Sequence, residues 1–152
     1  MLELRPLAFG VVTCVADPAA CDALPPVAES LALRLARDEV MVLGAPASVD
    51  RMLEKVSGAA VSVDPFAVVL DATDGWAAWA IRGDGVAAGL ARLSAMEVPR
   101  EGFLQGEAAG VPVKLVAAAG GLDLLVPAMW RDYVRGAILQ RCRSLGIAET
   151  GR

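Results

Sequence analysis

Asp71 and Asp74 stand close together at the end of an apolar run, and Asp84 follows shortly after them. Paired carboxylates of this kind can shuttle protons or hold a hard cation. Local structure claims two of the three. Thr73-Asp74-Gly75 is turn chemistry, because Asp bonds its own backbone and glycine tolerates positive φ. Asp84, between Gly83 and Gly85, is placed to cap the N-terminus of a following helix. Asp71 has no evident local duty. Glu101 and Glu107 bracket a glycine-containing approach to a hairpin and read as solvated. Lys55 and Lys114 are the only lysines. A lysine serves as a Schiff-base nucleophile when desolvated without a partner. Lys114 instead lies diagonally across a hairpin from Asp123, which predicts a surface ion pair.

The chain has no histidine. That removes the commonest general base near neutral pH and the commonest metal ligand together. A Ser/His/Asp triad is excluded, and no serine sits in a nucleophile elbow. Gly83-x-Gly85-x-x-x-Gly89 follows a strand and opens a helix, as a dinucleotide loop does. Its third glycine comes one residue late for that fingerprint, and no P-loop lysine or serine follows. Gly89 reads as a close-packing point beneath a strand. Cys14, Cys21 and Cys142 show no C-x-x-C spacing. Cys14 and Cys21 could bridge, but nothing indicates an oxidising compartment, so free thiols are expected. No catalytic, cofactor-binding or metal-ligating residue is assigned.

These side chains sit on an unusually apolar scaffold. Of 152 residues, 56% are hydrophobic, with a mean hydropathy of +0.53 and a formal net charge of −4. No run reaches the roughly 20 apolar residues that span a membrane. Candidates are interrupted by Asp71, Asp74, Arg82, Asp84 and Asp123. The opening Met1–Pro6 lacks a basic n-region and an apolar h-region, so a cytoplasmic protein without membrane association is expected. Surplus apolar surface in such a chain predicts a partner that covers it. Arginine supplies 12 of the 14 basic residues, and Arg131, Arg135, Arg141, Arg143 and Arg152 thicken the C-terminal part. They read as a solvated helix face. A phosphate-backbone footprint needs a denser basic patch interleaved with aromatics, so nucleic acid is not an expected partner.

Periodicity divides the chain into an irregular arm (1–30), a single α+β domain (31–147) and a tail (148–152). Pro6, Pro18, Pro25 and Pro26 argue against a long helix in the arm. Leu31, Leu33 and Leu35 alternate with smaller or polar residues as a half-buried strand, and Val40–Leu43 forms the next. Pro46 suits a first helical position; Val49, Met52, Leu53 and Val56 make an apolar stripe, and Gly58 closes that helix. The order strand, strand, helix recurs: Val68–Leu70, Trp76–Arg82 and a helix carrying Val86, Leu90, Leu93 and Met96. It recurs again as Val111–Ala117, Leu122–Val126 and a helix from Ala128 to Leu145. Pairing Ala117 with Leu122 puts Val113, Leu115, Leu124 and Val126 on the core face. From Val40 onward the order is strand, helix, strand, strand, helix, strand, the split βαβ arrangement of ferredoxin-like folds with helices on one face of antiparallel sheet. Trp76 and Trp79 have opposite parity and point to opposite faces. With Trp130 they are the candidate core or interface anchors.

The stretches Leu70–Trp76, Trp79–Gly83, Val86–Met96, Gly110–Val116 and Asp123–Tyr133 together resemble the gamma subunit of heterotetrameric sarcosine oxidase. That family is related to the folate-binding domain of the glycine-cleavage aminomethyltransferase. The likeness covers roughly residues 30–145, with Thr73 where serine is common in the family turn. It implies a non-catalytic accessory subunit of a flavoenzyme complex that demethylates sarcosine to glycine, forms hydrogen peroxide and passes one carbon to tetrahydrofolate. FAD, FMN, NAD and tetrahydrofolate are then expected on larger alpha- and beta-like partner subunits, with no cofactor on this chain alone. The alternative is a free-standing folate-binding or aminomethyltransferase-like domain, monomeric or homodimeric. The iron–sulfur-linked branch of that superfamily carries a Lys-Gly-Cys-Tyr stretch, whereas Glu101–Glu107 here has neither lysine nor cysteine.

Overall fold

The computed structural model describes residues 1–151. Its elements begin with β1 (Leu2–Leu7), β2 (Gly10–Val15), α1 (Pro18–Asp22), β3 (Leu31–Ala36), β4 (Glu39–Gly44), α2 (Val49–Val63) and β5 (Val68–Asp71). They continue with β6 (Trp76–Arg82), α3 (Val86–Ala91), β7 (Phe103–Ala108), β8 (Val111–Ala118), β9 (Gly121–Pro127), α4 (Arg131–Arg141) and β10 (Ile147–Glu149). The strands form two sheets, and the chain divides into two compact units. One unit is the continuous segment Ala8–Thr73; the other joins Met1–Leu7 to the chain from Asp74 onward. The fold is α+β, with strand pairing antiparallel except between β1 and β10.

In the continuous unit the sheet order is β3-β4-β2-β5. Both β4 and β5 run antiparallel to β2, so they are parallel to each other, and α2 makes the crossover between them. The core joins Val12, Cys14, Val40 and Val42 of the sheet to Ala20 and Cys21 of α1 and to Met52, Val56 and Ala60 of α2. Each fully buried side chain of Val or Met size contributes about 1.5–3 kcal/mol. Two glycines let the helix come down on the strands. Gly10 pairs with Gly44, and a Cβ would stand 2.3 Å from Val49 Cγ2 at the first and 2.9 Å from Met52 Sδ at the second. Asp17 opens α1 by accepting from the Ala19 N–H at 2.9 Å, followed by Pro18 at the first helical position.

In the discontinuous unit the order is β10-β1-β6-β9-β8-β7. Helices α3 and α4 bury one face of this sheet. Leu2, Leu4, Trp79, Ile81, Leu115, Leu122, Leu124 and Val126 meet Val86 and Leu90 of α3 and Val134, Ala137, Ile138 and Cys142 around α4. The β8–β9 hairpin has the expected register, with Ala117 opposite Leu122, and Val113, Leu115, Leu124 and Val126 lie in the core. Gly89 on α3 packs against β1, since a Cβ there would stand 2.9 Å from Leu2 Cδ1.

Several expectations need correction. Residues 1–30 are not an irregular arm: β1, β2 and α1 lie there, and Pro6 is accommodated in β1 opposite Trp79. The 31–147 stretch is shared between two units, and the expected tail contributes to β10, beside β1. The series read from Val40 does not close in one sheet, because β4 and β5 lie in the four-stranded sheet while β6 and β8 lie in the other. The Thr73–Gly75 turn therefore leads from sheet to sheet rather than closing a hairpin. Helix α2 runs through Gly58 to Val63, since Ala59 and Ala60 restore helix propensity and Ala60 is buried. The helix expected to extend through Met96 stops at Ala91. The last one is 3-10 at Ala128–Trp130 and Arg143–Leu145 and α-helical only at Arg131–Arg141.

Candidate functional site

Asp71 does have a local duty. Its Oδ1 accepts the Thr73 N–H at 3.0 Å, and the Thr73 hydroxyl in turn accepts the Val11 N–H at 3.0 Å. Hydrogen bonds from the Thr73 side chain and backbone hold the Asp71 carboxyl below the usual carboxylate range. The carboxylate thus fixes the end of β5 against the start of β2.

Asp74 and Asp84 belong to the discontinuous unit. Helix α3 begins at Gly85 without a side-chain cap, so Asp84 does not take the expected capping role. It accepts instead from the Met1 ammonium at 2.5 Å, which lowers its pKa. The glycine loop beside it is filled by β1. At Gly83, where φ is +103°, a Cβ would lie 2.6 Å from the Met1 carbonyl oxygen, and at Gly85 it would lie 3.1 Å away. The Gly85 N–H donates to that same oxygen at 3.2 Å. A pyrophosphate needs this backbone open, so the loop does not fit a dinucleotide.

Lys114 and Asp123 are placed differently from the expected pair. Asp123 accepts from Arg82 Nη2 at 2.5 Å, and Arg82 Nη1 also donates to the Leu122 carbonyl, which ties β6 to β9. The Lys114 ammonium lies 4.4 Å from the centroid of the Trp76 ring. Trp76 is half-buried beneath that cation, whereas Trp79 is 3% exposed in the helix-covered core. The opposite parity of the two tryptophans is realised. Trp130 is a peripheral aromatic: it meets Tyr133 edge-on at 5.9 Å, and the Tyr133 hydroxyl donates to the Ala109 carbonyl at 2.9 Å. Arg135 makes a two-pronged pair with Glu149 of β10 at 2.6 and 2.7 Å, which raises its pKa. Arg131 pairs with Asp132, and Arg152 lies outside the described residues.

Cys14, Cys21 and Cys142 are free and buried. Desolvation by burial, reinforced by Cys21 and Asp64, pushes the Cys14 thiol up to about 11. Burial also raises Cys142. Neutral, buried thiols are poor nucleophiles and poor metal ligands. Among the described residues no group of three or more His, Cys, Asp or Glu side chains is arranged to hold a metal ion.

Open grooves are present among the described residues. One, of about 290 Å³, lies in the continuous unit between Leu24–Val27, Ala32, Val42 and Val56. Another, of about 510 Å³, runs along Leu90, Ala91 and the Ser94–Val98 loop, with Arg100 at its rim. The residue types singled out for chemistry do not include the surface that stands out most. Phe66 is 89% exposed and Leu70 58%, and Val61, Val63 and Val68 are exposed with them. Its signal in the sequence is the apolar run Phe66–Leu70, which carries no polar alternation. No helix among the described residues is long and apolar enough to cross a membrane.

No protein-family model matches the chain, and no curated protein matches it. Solved structures do. A chain of the heterotetrameric sarcosine oxidase from Corynebacterium sp. U-96, in complex with pyrrole 2-carboxylate, is similar with a TM-score of 0.78 at 18% identity. The match covers 99% of this chain and 88% of that one. The glycine cleavage system aminomethyltransferase T from Bartonella henselae is similar with a TM-score of 0.70 at 13% identity, over 99% of this chain. This chain spans about half of that protein, 48% of its length. The ligand-free regulatory subunit of aspartate kinase from Thermus thermophilus matches with a TM-score of 0.52 at 13% identity, over 93% of this chain and 97% of that one. At these identities the likeness establishes a shared fold, that of the sarcosine oxidase and aminomethyltransferase chains.

Proposed function

We propose that this chain is a non-catalytic, gamma-like accessory subunit of a heterotetrameric sarcosine oxidase-type flavoenzyme complex. Such a complex demethylates sarcosine to glycine with hydrogen peroxide formation and transfers one carbon to tetrahydrofolate. The observation that carries the reading is the shared fold across 99% of this chain and 88% of a chain from a heterotetrameric sarcosine oxidase. In this reading FAD, FMN, NAD and tetrahydrofolate reside on larger alpha- and beta-like subunits. This chain contributes surface rather than chemistry. Its carboxylates and arginines serve turns, strand ladders and ion pairs within each unit, as Asp71, Arg82 with Asp123, and Arg135 with Glu149 do. Its exposed apolar residues around Phe66 supply area for a partner to cover.

A second reading, a free-standing folate-binding or aminomethyltransferase-like domain, is favoured by the 0.70 TM-score to aminomethyltransferase T. Size-exclusion chromatography with light scattering separates the two. The chain is measured alone and co-expressed with the larger oxidase subunits of its own organism. Co-elution in a flavin-coloured complex is the expected result. A monomer or homodimer that ignores those subunits, together with saturable tetrahydrofolate binding by fluorescence titration, would establish the second reading.

A further inference from the structure

Four strand edges border the two sheets, and three of them are guarded. Strand β3 is bulged between Arg34 and Ala36, with the Arg34 guanidinium bonded to the Ala36 carbonyl at 2.7 Å. Strand β7 exposes Gln105 and Glu107, and β10 is three residues long and ends at Glu149. Charge, bulges and brevity are the devices by which proteins keep edges from pairing. Strand β5 is short but uncharged from Val68 to Leu70, and the flanking Phe66 and Ala67 are uncharged as well.

The free groups of this edge can be identified. The Ala72 N–H bonds the Val11 carbonyl at 2.9 Å, and the same register pairs Leu70 with Thr13 and Val68 with Val15. Antiparallel bonding alternates, so Leu70 and Val68 direct their main-chain groups toward β2. Val69 and Asp71 direct theirs outward along the open edge. On the sheet face opposite α2, Val68 is 50% exposed and its partner Val15 44% exposed, beside the still more exposed Leu70. Backbone donors, backbone acceptors and apolar side chains thus coincide at one place, the requirements for strand addition.

Charge selects the occupant. Asp64 stands at one end of the apolar run and Asp71 at the other. If β5 paired with its own copy about Val69, Asp71 of each chain would lie opposite Ala67 of the other. Asp71 of each chain would then lie about 10 Å along the pair from the other chain's Asp64, so four carboxylates would border one short ladder in a protein whose formal net charge is already −4. Like charges brought together across a strand pair are destabilising. We infer that the β5 edge receives an extended, apolar strand flanked by Lys or Arg from a larger partner subunit, extending the four-stranded sheet by one strand. This rests on the accessory-subunit reading and names the surface through which that subunit docks.

The test uses the full chain co-expressed with the larger oxidase subunits, with hydrogen exchange read residue by residue. In the complex, exchange at the Val69 and Asp71 amides should slow by about tenfold or more relative to the chain alone. Leu70→Lys, at an exposed position, should fold normally by circular dichroism yet weaken assembly by about tenfold. Asp71→Asn keeps an acceptor for the Thr73 N–H and should flatten the salt dependence of assembly. A complex that forms with both amides unslowed and Leu70→Lys assembling as wild type overturns this inference and leaves the subunit reading standing. Failure of the wild-type chain to form any complex overturns both. A dimeric chain alone, with Val69 and Asp71 already protected, overturns the choice of partner over self-pairing.

Discussion

Raising the pH through the thiol range should remove stability through the buried thiol of Cys14. Its thiol is fully buried, and desolvation, reinforced by Cys21 and Asp64, raises its pKa from 9.0 to about 11. Above the lower value the unfolded chain has released this proton while the folded chain still holds it. The unfolded state then binds fewer protons, so stability declines as the pH climbs. The contribution is fully present below pH 9.0 and exhausted above about 11. Two pH units at 1.36 kcal/mol each amount to about 3 kcal/mol. The assay is urea unfolding of wild type and Cys14→Ala between about pH 8 and 11. Alanine leaves a cavity whose cost is the same at every pH, and the titrations of groups that do not touch Cys14 are common to both proteins. Their stability difference should therefore change by about 3 kcal/mol across the window. Parallel curves would refute the assignment. The same shift leaves roughly a hundredfold less Cys14 thiolate at pH 8 than an ordinary thiol carries, so native alkylation should await unfolding.

Other substitutions probe the scaffold. Gly58 lies inside α2, and a Cβ added there would meet nothing within 4 Å, so Gly58→Ala should raise stability by about 0.5–1 kcal/mol. An unchanged or lower Tm would count against the helix continuing there. Gly121→Ala would place a Cβ 2.0 Å from the Ile81 carbonyl oxygen, in the β6–β9 ladder. A backbone clash cannot be relieved by a rotamer, and a loss of about 2–4 kcal/mol in urea unfolding is expected; tolerance would show that the ladder yields. Trp79→Ala should cost about 3–5 kcal/mol as a core truncation, measured by thermal melts. Trp76→Ala, which removes the contact with Lys114, should cost about 1 kcal/mol beyond its smaller burial. Equal losses would contradict the two-faced placement of these rings.

Local order in this chain is legible where one residue decides one feature. Alternation marks out β3, and Ala118–Gly121 sets the β8–β9 register because a short turn leaves little freedom. The division into two sheets is not legible. Thr73-Asp74-Gly75 has the composition of a tight turn whether its flanking strands pair with each other or with distant partners, and here β5 pairs with β2 while β6 pairs with β1. Strand β1 is hidden by Pro6, a residue that acts as a breaker in isolation. Pro6 is held instead by the ladder around it, a tertiary effect with no local trace. The carboxylates Asp74 and Asp84 carry the marks of turn chemistry, but Asp84 finds its partner through the distant N-terminus of β1. Phe66 escapes notice because an exposed aromatic and a buried one read alike in a sequence.

The placement of β1 bears on how the chain can fold. This strand lies inside the sheet of the discontinuous unit, yet all of Ala8–Thr73 separates it from its neighbour β6. Closing so long a loop directly carries a large entropy cost that grows with the logarithm of its length. The intervening unit is continuous in sequence, and its two ends are bonded together where the Ala72 N–H meets the Val11 carbonyl. Once that unit is folded, the path from Leu7 to its partner Ala78 shortens to about ten residues, and the closure cost falls by about 2 kcal/mol. The four-stranded unit is thus the brace that brings β1 and β6 within reach, and a lesion in its Val11–Thr73 clasp would surface first as slow closure of the other sheet.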